Sequence, residues 1–99
     1  MKHQHLSESE IITCLRCLPQ WKYIPSIPAI EKEFVFDNFL HAIEFMYKSA
    51  PFIDKINHHP EWKNVYNRVH VILYTHEVKG VTVLDIQLAH YLENLYQYV

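Results

Sequence analysis

Val69-His70-Val71-Ile72-Leu73-Tyr74-Thr75 is the stretch whose reading decides the fold. Val69, Val71, Leu73 and Thr75 fall on one side of an extended chain, and His70, Ile72 and Tyr74 on the other. β-Branched and aromatic residues fill it, so it predicts a strand with one buried face. Before it, Asn67-Arg68 reads as a turn and Asn64 to Tyr66 as a short strand, which makes a hairpin. After it, Gly80, the only glycine of the chain, marks a loop where a positive φ is expected. Thr82-Val83-Leu84-Asp85 has the pattern of a capping box. Leu84, Leu88, Leu92 and Leu95 then line one face of a last helix.

The first half holds a second pair of strands, without any sequence repeat. Ile30, Lys32, Phe34 and Phe36 alternate with Glu31, Glu33 and Val35, a strand with one aromatic face. Trp21 to Ile24 is a short strand before it, with a turn bracketed by Pro25 and Pro28 between them. Ser7 and Glu10 predict a capped helix over Ser7 to Leu18, carried by Ile11, Ile12, Leu15 and Leu18 and stopped by Pro19. Asp37 is expected to open a second helix with an apolar stripe of Phe39, Ala42, Ile43, Met46 and Ala50. Pro51 should kink or divide that helix, which ends near Asn57. The order is αββαββα. Short connections predict an α+β fold in two layers, a four-stranded antiparallel sheet with three helices on one face. The other face, with Arg68, His70, Ile72 and Tyr74, is one that another subunit often completes.

Ninety-nine residues suit one domain over 1–99, and 49% hydrophobic content suits one core. The net charge of −2 and the dispersed Lys and Arg residues argue against a nucleic-acid surface. No apolar run is long enough to span a bilayer. The polar start, Met1-Lys2-His3-Gln4-His5, leads into no signal-type segment, so a cytoplasmic location is expected. Cys14 and Cys17 form a lone C-x-x-C, read here as two small apolar residues on the first helix rather than a redox or metal pair.

The chemistry lies in three of the eight histidines. His58 and His59 are adjacent, in Asp54-Lys55-Ile56-Asn57-His58-His59-Pro60-Glu61-Trp62, and His76 follows the central strand. Imidazole titrates near neutrality, so several imidazoles with nearby carboxylates read as a proton-transfer site. Pro60 biases His59 toward extended backbone, where neighbouring side chains diverge, so His58 and His59 should hold different jobs. Asp85 has two readings, a helix-capping carboxylate and a site residue. Asp54 is either a solvated helix residue or the partner of an imidazole. Trp62 and Tyr66 read first as packing residues. His70, on the sheet's other face, reads as an interface residue.

The motif Asp54-x3-His58-His59-Pro60-x5-Tyr66-x9-His76-x8-Asp85 resembles that of the pterin-4a-carbinolamine dehydratases. Phe34-Val35-Phe36-Asp37-Asn38-Phe39 and Gly80-Val81-Thr82-Val83-Leu84-Asp85 are similar to the family's flanking stretches. The resemblance covers about Trp21 to Tyr96. Gln20, Lys79 and Pro51 depart from it and bear on loop shape. It implies the same sheet-and-helix fold, a homodimer or homotetramer, and dehydration of 4a-hydroxytetrahydropterin to quinonoid dihydropterin in tetrahydrobiopterin recycling. Catalytic roles are expected for His58, His59 and His76: the resemblance implies that His59 holds or orients the pterin, and His58 and His76 are expected to move the protons, with acid and base not distinguished by the sequence. Asp54, Trp62 and Asp85 would support them. The reaction moves two protons and needs neither metal nor redox cofactor.

Two other functions compete. Three imidazoles can bind zinc, but adjacent histidines that diverge make shared ligation awkward. Some relatives on this fold act as dimerisation or assembly cofactors, through a protein partner on the helical face. The intact histidines favour catalysis.

Overall fold

The computed structural model describes residues 4–99, so Met1 to His3 of the polar start lie outside it. The elements are α1 (Glu8–Leu15), β1 (Lys22–Ile24), β2 (Ala29–Val35), α2 (Phe39–Ile56), β3 (Glu61–Val65), β4 (Arg68–Leu73), a short 3-10 turn (His76–Val78) and α3 (Val83–Tyr96). This is the expected αββαββα order. The sheet runs β1-β2-β4-β3 with every neighbour antiparallel. The central pair is therefore β2 with β4, two strands separated in sequence by α2 and β3.

Register sorts the two faces. Ile30 pairs with Leu73, Lys32 with Val71 and Phe34 with Val69, and this face is buried under the helices. Phe34 packs its ring 4.8 Å from Phe45 of α2 and 5.0 Å from Tyr96 of α3, and Ile11 of α1 joins the same core. The opposite face carries cross-strand polar pairs. Arg68 donates to Glu33 at 2.8 Å, and the His70 and Glu31 side chains share a hydrogen bond of 2.7 Å.

Among the described residues, Lys32 is the one charged strand residue on the sheet's inner face. Its ammonium lies 4.4 Å from the Phe34 ring centroid and pairs with Glu93 of α3, whose same oxygen accepts from the Trp21 indole at 2.9 Å. A charge so placed depends on its partner. Glu93→Ala should cost about 3 kcal/mol, since it strands a cation in an aromatic setting; denaturant titration reads it.

Several boundaries differ from expectation. The capping box at Ser7 forms, but α1 stops at Leu15, and three-residue bonds (Cys17 N–H to Cys14, Leu18 N–H to Leu15) tighten the chain beyond it. The Ser7 amide donates to Glu10 and holds that carboxyl below its ordinary range. This contribution is complete above the unfolded pKa and is lost as pH falls through the lowered folded one. The start of α1 should therefore loosen on acidification, and Glu10→Gln, which has no charge to lose, should abolish this pH dependence of the α1 amide shifts.

Asn38, not Asp37, caps α2, its side chain accepting from His41 N–H at 2.9 Å. Pro51 does not divide α2, which runs unbroken. The missing N–H falls on the solvent side, where the carbonyl of exposed Tyr47 can bond water. The buried stripe is Ala42, Phe45, Ser49 and Ile53, whereas Phe39, Ile43 and Ala50 are exposed. β3 begins at Glu61 rather than Asn64 because the whole segment pairs with β4. The hairpin turn is at Tyr66, with φ 50°. Gly80 has no positive φ; Lys79 takes the left-handed conformation at φ 52°.

Candidate proton-transfer site

The end of α2 sends the two histidines apart. Asn57 adopts the left-handed conformation, φ 51° and ψ 45°, which a short polar side chain tolerates. Its N–H bonds the Asp54 carbonyl and the His58 N–H bonds the Ile53 carbonyl, the paired bonds of a Schellman ending. Beyond it His58 turns inward and is buried, while the His59 ring stays 57% exposed.

His58 meets Asp85. Its Nε2 lies 2.5 Å from Asp85 Oδ1, and Asp85 is wholly buried. The other oxygen, Oδ2, accepts from the Thr82 amide at 2.8 Å and from the Thr75 hydroxyl at 2.9 Å. Thr75 in turn is 2.7 Å from the Thr82 hydroxyl, which accepts from the Leu84 amide. Asp85 is thus both a cap for α3 and the partner of His58, one role for each carboxylate oxygen.

Proton positions follow from these partners. With the Thr82 oxygen accepting from Leu84, its hydroxyl donates to Thr75, and Thr75 donates to Asp85. A carboxylate has no hydrogen to give, so partner chemistry assigns the hydrogen of the third bond to His58 Nε2. Nδ1 has no partner among the described residues, and no buried side-chain nitrogen or oxygen there lacks one. Nδ1 therefore reaches accessible space.

His76 opens the 3-10 turn and is exposed, its ring centroid 6.1 Å from that of Tyr74. It directly follows Thr75, so the segments bearing His58 and His76 meet at one carboxylate. The Tyr74 hydroxyl donates to Glu61 at 2.6 Å, and that bond raises the phenol above its ordinary range.

A groove of about 710 Å³ runs along the second half of α2 to the start of β3. Asp54, His59, Pro60 and Trp62 line one end, and Tyr47 and Lys48 the other. His59 Nε2 stands 3.4 Å from Asp54 Oδ1, a loose contact between two exposed groups. Among the expected residues, then, His59, Asp54 and Trp62 share the groove, and His58 and Asp85 form the buried pair. His58, His76 and Asp85 are not among the residues lining the groove. Thr75 and Thr82 are additions; their sequence signal was the pairing of Thr75 with His76 and the cap at Thr82. Among the described residues no three His, Cys, Asp or Glu side chains gather as a metal-ligand set. Cys14 and Cys17 are free thiols.

These features define an α+β protein with a carboxylate-backed imidazole and a second histidine on an open groove. The chain belongs to the pterin 4 alpha carbinolamine dehydratase family, whose model matches residues 4–95. A relative in Bordetella avium (strain 197N), provisionally named pterin-4-alpha-carbinolamine dehydratase, is 44% identical over 90 residues, covering 91% of this chain and 83% of its own. One of the same provisional name in Brucella ovis is 45% identical over 89 residues, covering 90% and 92%. A crystal structure from Brucella melitensis, described as a transcriptional coactivator/pterin dehydratase, superposes with TM-score 0.91 at 42% identity, over 94% of this chain and 99% of that one. Among the described residues no helix is long and apolar enough to cross a membrane.

Proposed function

We propose that this chain dehydrates 4a-hydroxytetrahydropterin to quinonoid dihydropterin by histidine acid–base catalysis, without a metal or other cofactor. The observation that carries the proposal is the Asp85–His58 pair with its accessible Nδ1, within a chain of this family. The C4a–O bond breaks, the hydroxyl leaves as water after gaining a proton, and the N5 proton is lost as the C4a=N5 bond forms. A neutral His58, its tautomer fixed by Asp85, can accept the N5 proton at Nδ1. His76 supplies the proton to the hydroxyl. His59, with Asp54 beside it, orients the pterin from the groove side, and Trp62 offers a flat surface for the ring, while the reacting C4a–N5 edge lies beyond the groove lining, toward His58 and His76.

Rapid-mixing kinetics with freshly generated carbinolamine in chelator-treated, metal-free buffer tests the cofactor claim. Undiminished acceleration is expected; loss of rate on chelation with recovery on adding a divalent ion would contradict it. The protein is expected to act in the cytoplasm as a homodimer or homotetramer.

A second reading is supported by the Brucella melitensis relative's description as a coactivator and by exposed apolar residues on α2. Phe39, Leu40, Ile43 and Tyr47 leave a helical face open, of the kind that takes a partner. In this reading the chain also binds a protein or another copy of itself through α2. Light scattering on Leu40→Glu should then show a smaller assembly than the parent; an unchanged mass would count against α2 as the contact.

A further inference from the structure

The only glycine of the chain lacks the conformation for which glycine is usually needed, so its smallness has another cause. A Cβ built on Gly80 would stand 2.7 Å from the Cβ of His5 and 3.3 Å from its Cγ. The nearer atom is fixed by the backbone of residue 5, so no side-chain rotation relieves the contact. The N-terminal segment is held there from both sides. The Leu6 amide donates to the Val81 carbonyl at 2.7 Å, Leu6 packs against the core, and Ser7 caps α1 immediately after.

The loop beneath carries His76. Thr75 and Gly80 close it with reciprocal backbone bonds of 2.8 and 3.4 Å. Its first residue, Thr75, donates to Asp85. One end of the loop is therefore tied to the buried carboxylate, and the other is tied to the strap through Val81 and pressed by His5 at Gly80. We infer that residues 4–6 form a strap that positions the His76 loop, with Gly80 as the notch in which the strap lies. Gly80 is the positioning residue, because its lack of a side chain admits the strap that the Leu6–Val81 bond anchors, and neither it nor His5 touches substrate. The strap's catalytic consequence rests on the reading of His76 as a proton-moving residue.

The test is a compensating pair. Gly80→Ala puts a methyl where the His5 Cβ sits, so the strap or the loop must move. Hydrogen exchange at the Thr75 and Gly80 amides should quicken in this variant, the His76 ring resonances should shift, and dehydration should slow by about 10²-fold, the scale expected for an ångström-sized misplacement of a reacting group. His5→Gly alone leaves Leu6 bonded to Val81 and should stay close to the parent in all three readouts. His5→Gly combined with Gly80→Ala removes the clash and should restore slow exchange and the His76 resonances.

If Gly80→Ala does not fold but the pair does, the strap contact is equally supported. Parent-like exchange in Gly80→Ala, or a double variant no better than the single one, would overturn the inference. If exchange and resonances respond and recover while turnover never changes, the strap stands and the catalytic reading of His76 fails.

Discussion

His58→Gln is expected to leave the fold intact and slow dehydration by about 10²–10⁴-fold, the usual contribution of a positioned acid or base. A glutamine amide can still donate to Asp85 Oδ1, so the buried carboxylate keeps its bonds to His58's position, Thr75 and Thr82. A carboxamide has no ring nitrogen able to serve as the base the proposal requires. Melting curves and turnover should therefore separate. His58→Ala removes the donor as well, and leaving the buried Asp85 one bond short should add about 1–3 kcal/mol of destabilisation. A glutamine variant of parent-like rate would remove His58 from the proton work.

Asp85→Ala is expected to be the most damaging single change to stability. Asp85 is wholly buried, and its carboxylate serves three donors on three segments. Removing it leaves the Thr82 amide, the Thr75 hydroxyl and the His58 ring without their acceptor, at a cost of about 3–5 kcal/mol. Asp85→Asn keeps an acceptor and should be milder in stability. It presents one carbonyl oxygen where two oxygens now accept, so the His58 tautomer is no longer fixed. Its rate should fall further than its stability. Equilibrium unfolding in urea beside turnover checks both changes; a stable Asp85→Ala would mean that His58 does not need this partner.

Much of the fold was legible because its strongest signals are local. The alternation through Val69 to Leu73 survives as β4, and the caps at Ser7 and Thr82 open their helices as read. The stripe on α2 was misplaced because a serine sits in it. Ser49 is buried with its hydroxyl returned to the Met46 carbonyl at 2.9 Å, so a polar letter marks an inward position. β3 lacked a strong strand pattern in Glu61-Trp62-Lys63, and pairing with β4 imposes it. Gly80 was read through its own backbone, whereas its size answers a segment 75 residues away in sequence.

The same distinction runs through the candidate site. The divergence of His58 and His59 could be read from Pro60, and it places one ring inside and one on the groove. That Asp85 caps a helix and holds an imidazole at once could not be read, since the two roles use different oxygens of one group. Thr75 gained its place only when the chain folded, by lying between Thr82 and Asp85.

The most direct measurement is the disappearance of freshly generated 4a-hydroxytetrahydropterin, followed side by side with no protein, with the parent chain, and with His58→Gln combined with His76→Ala. The account predicts acceleration by the parent and a return nearly to the protein-free rate with the double variant. A double variant as fast as the parent, or a parent no faster than buffer, would contradict it.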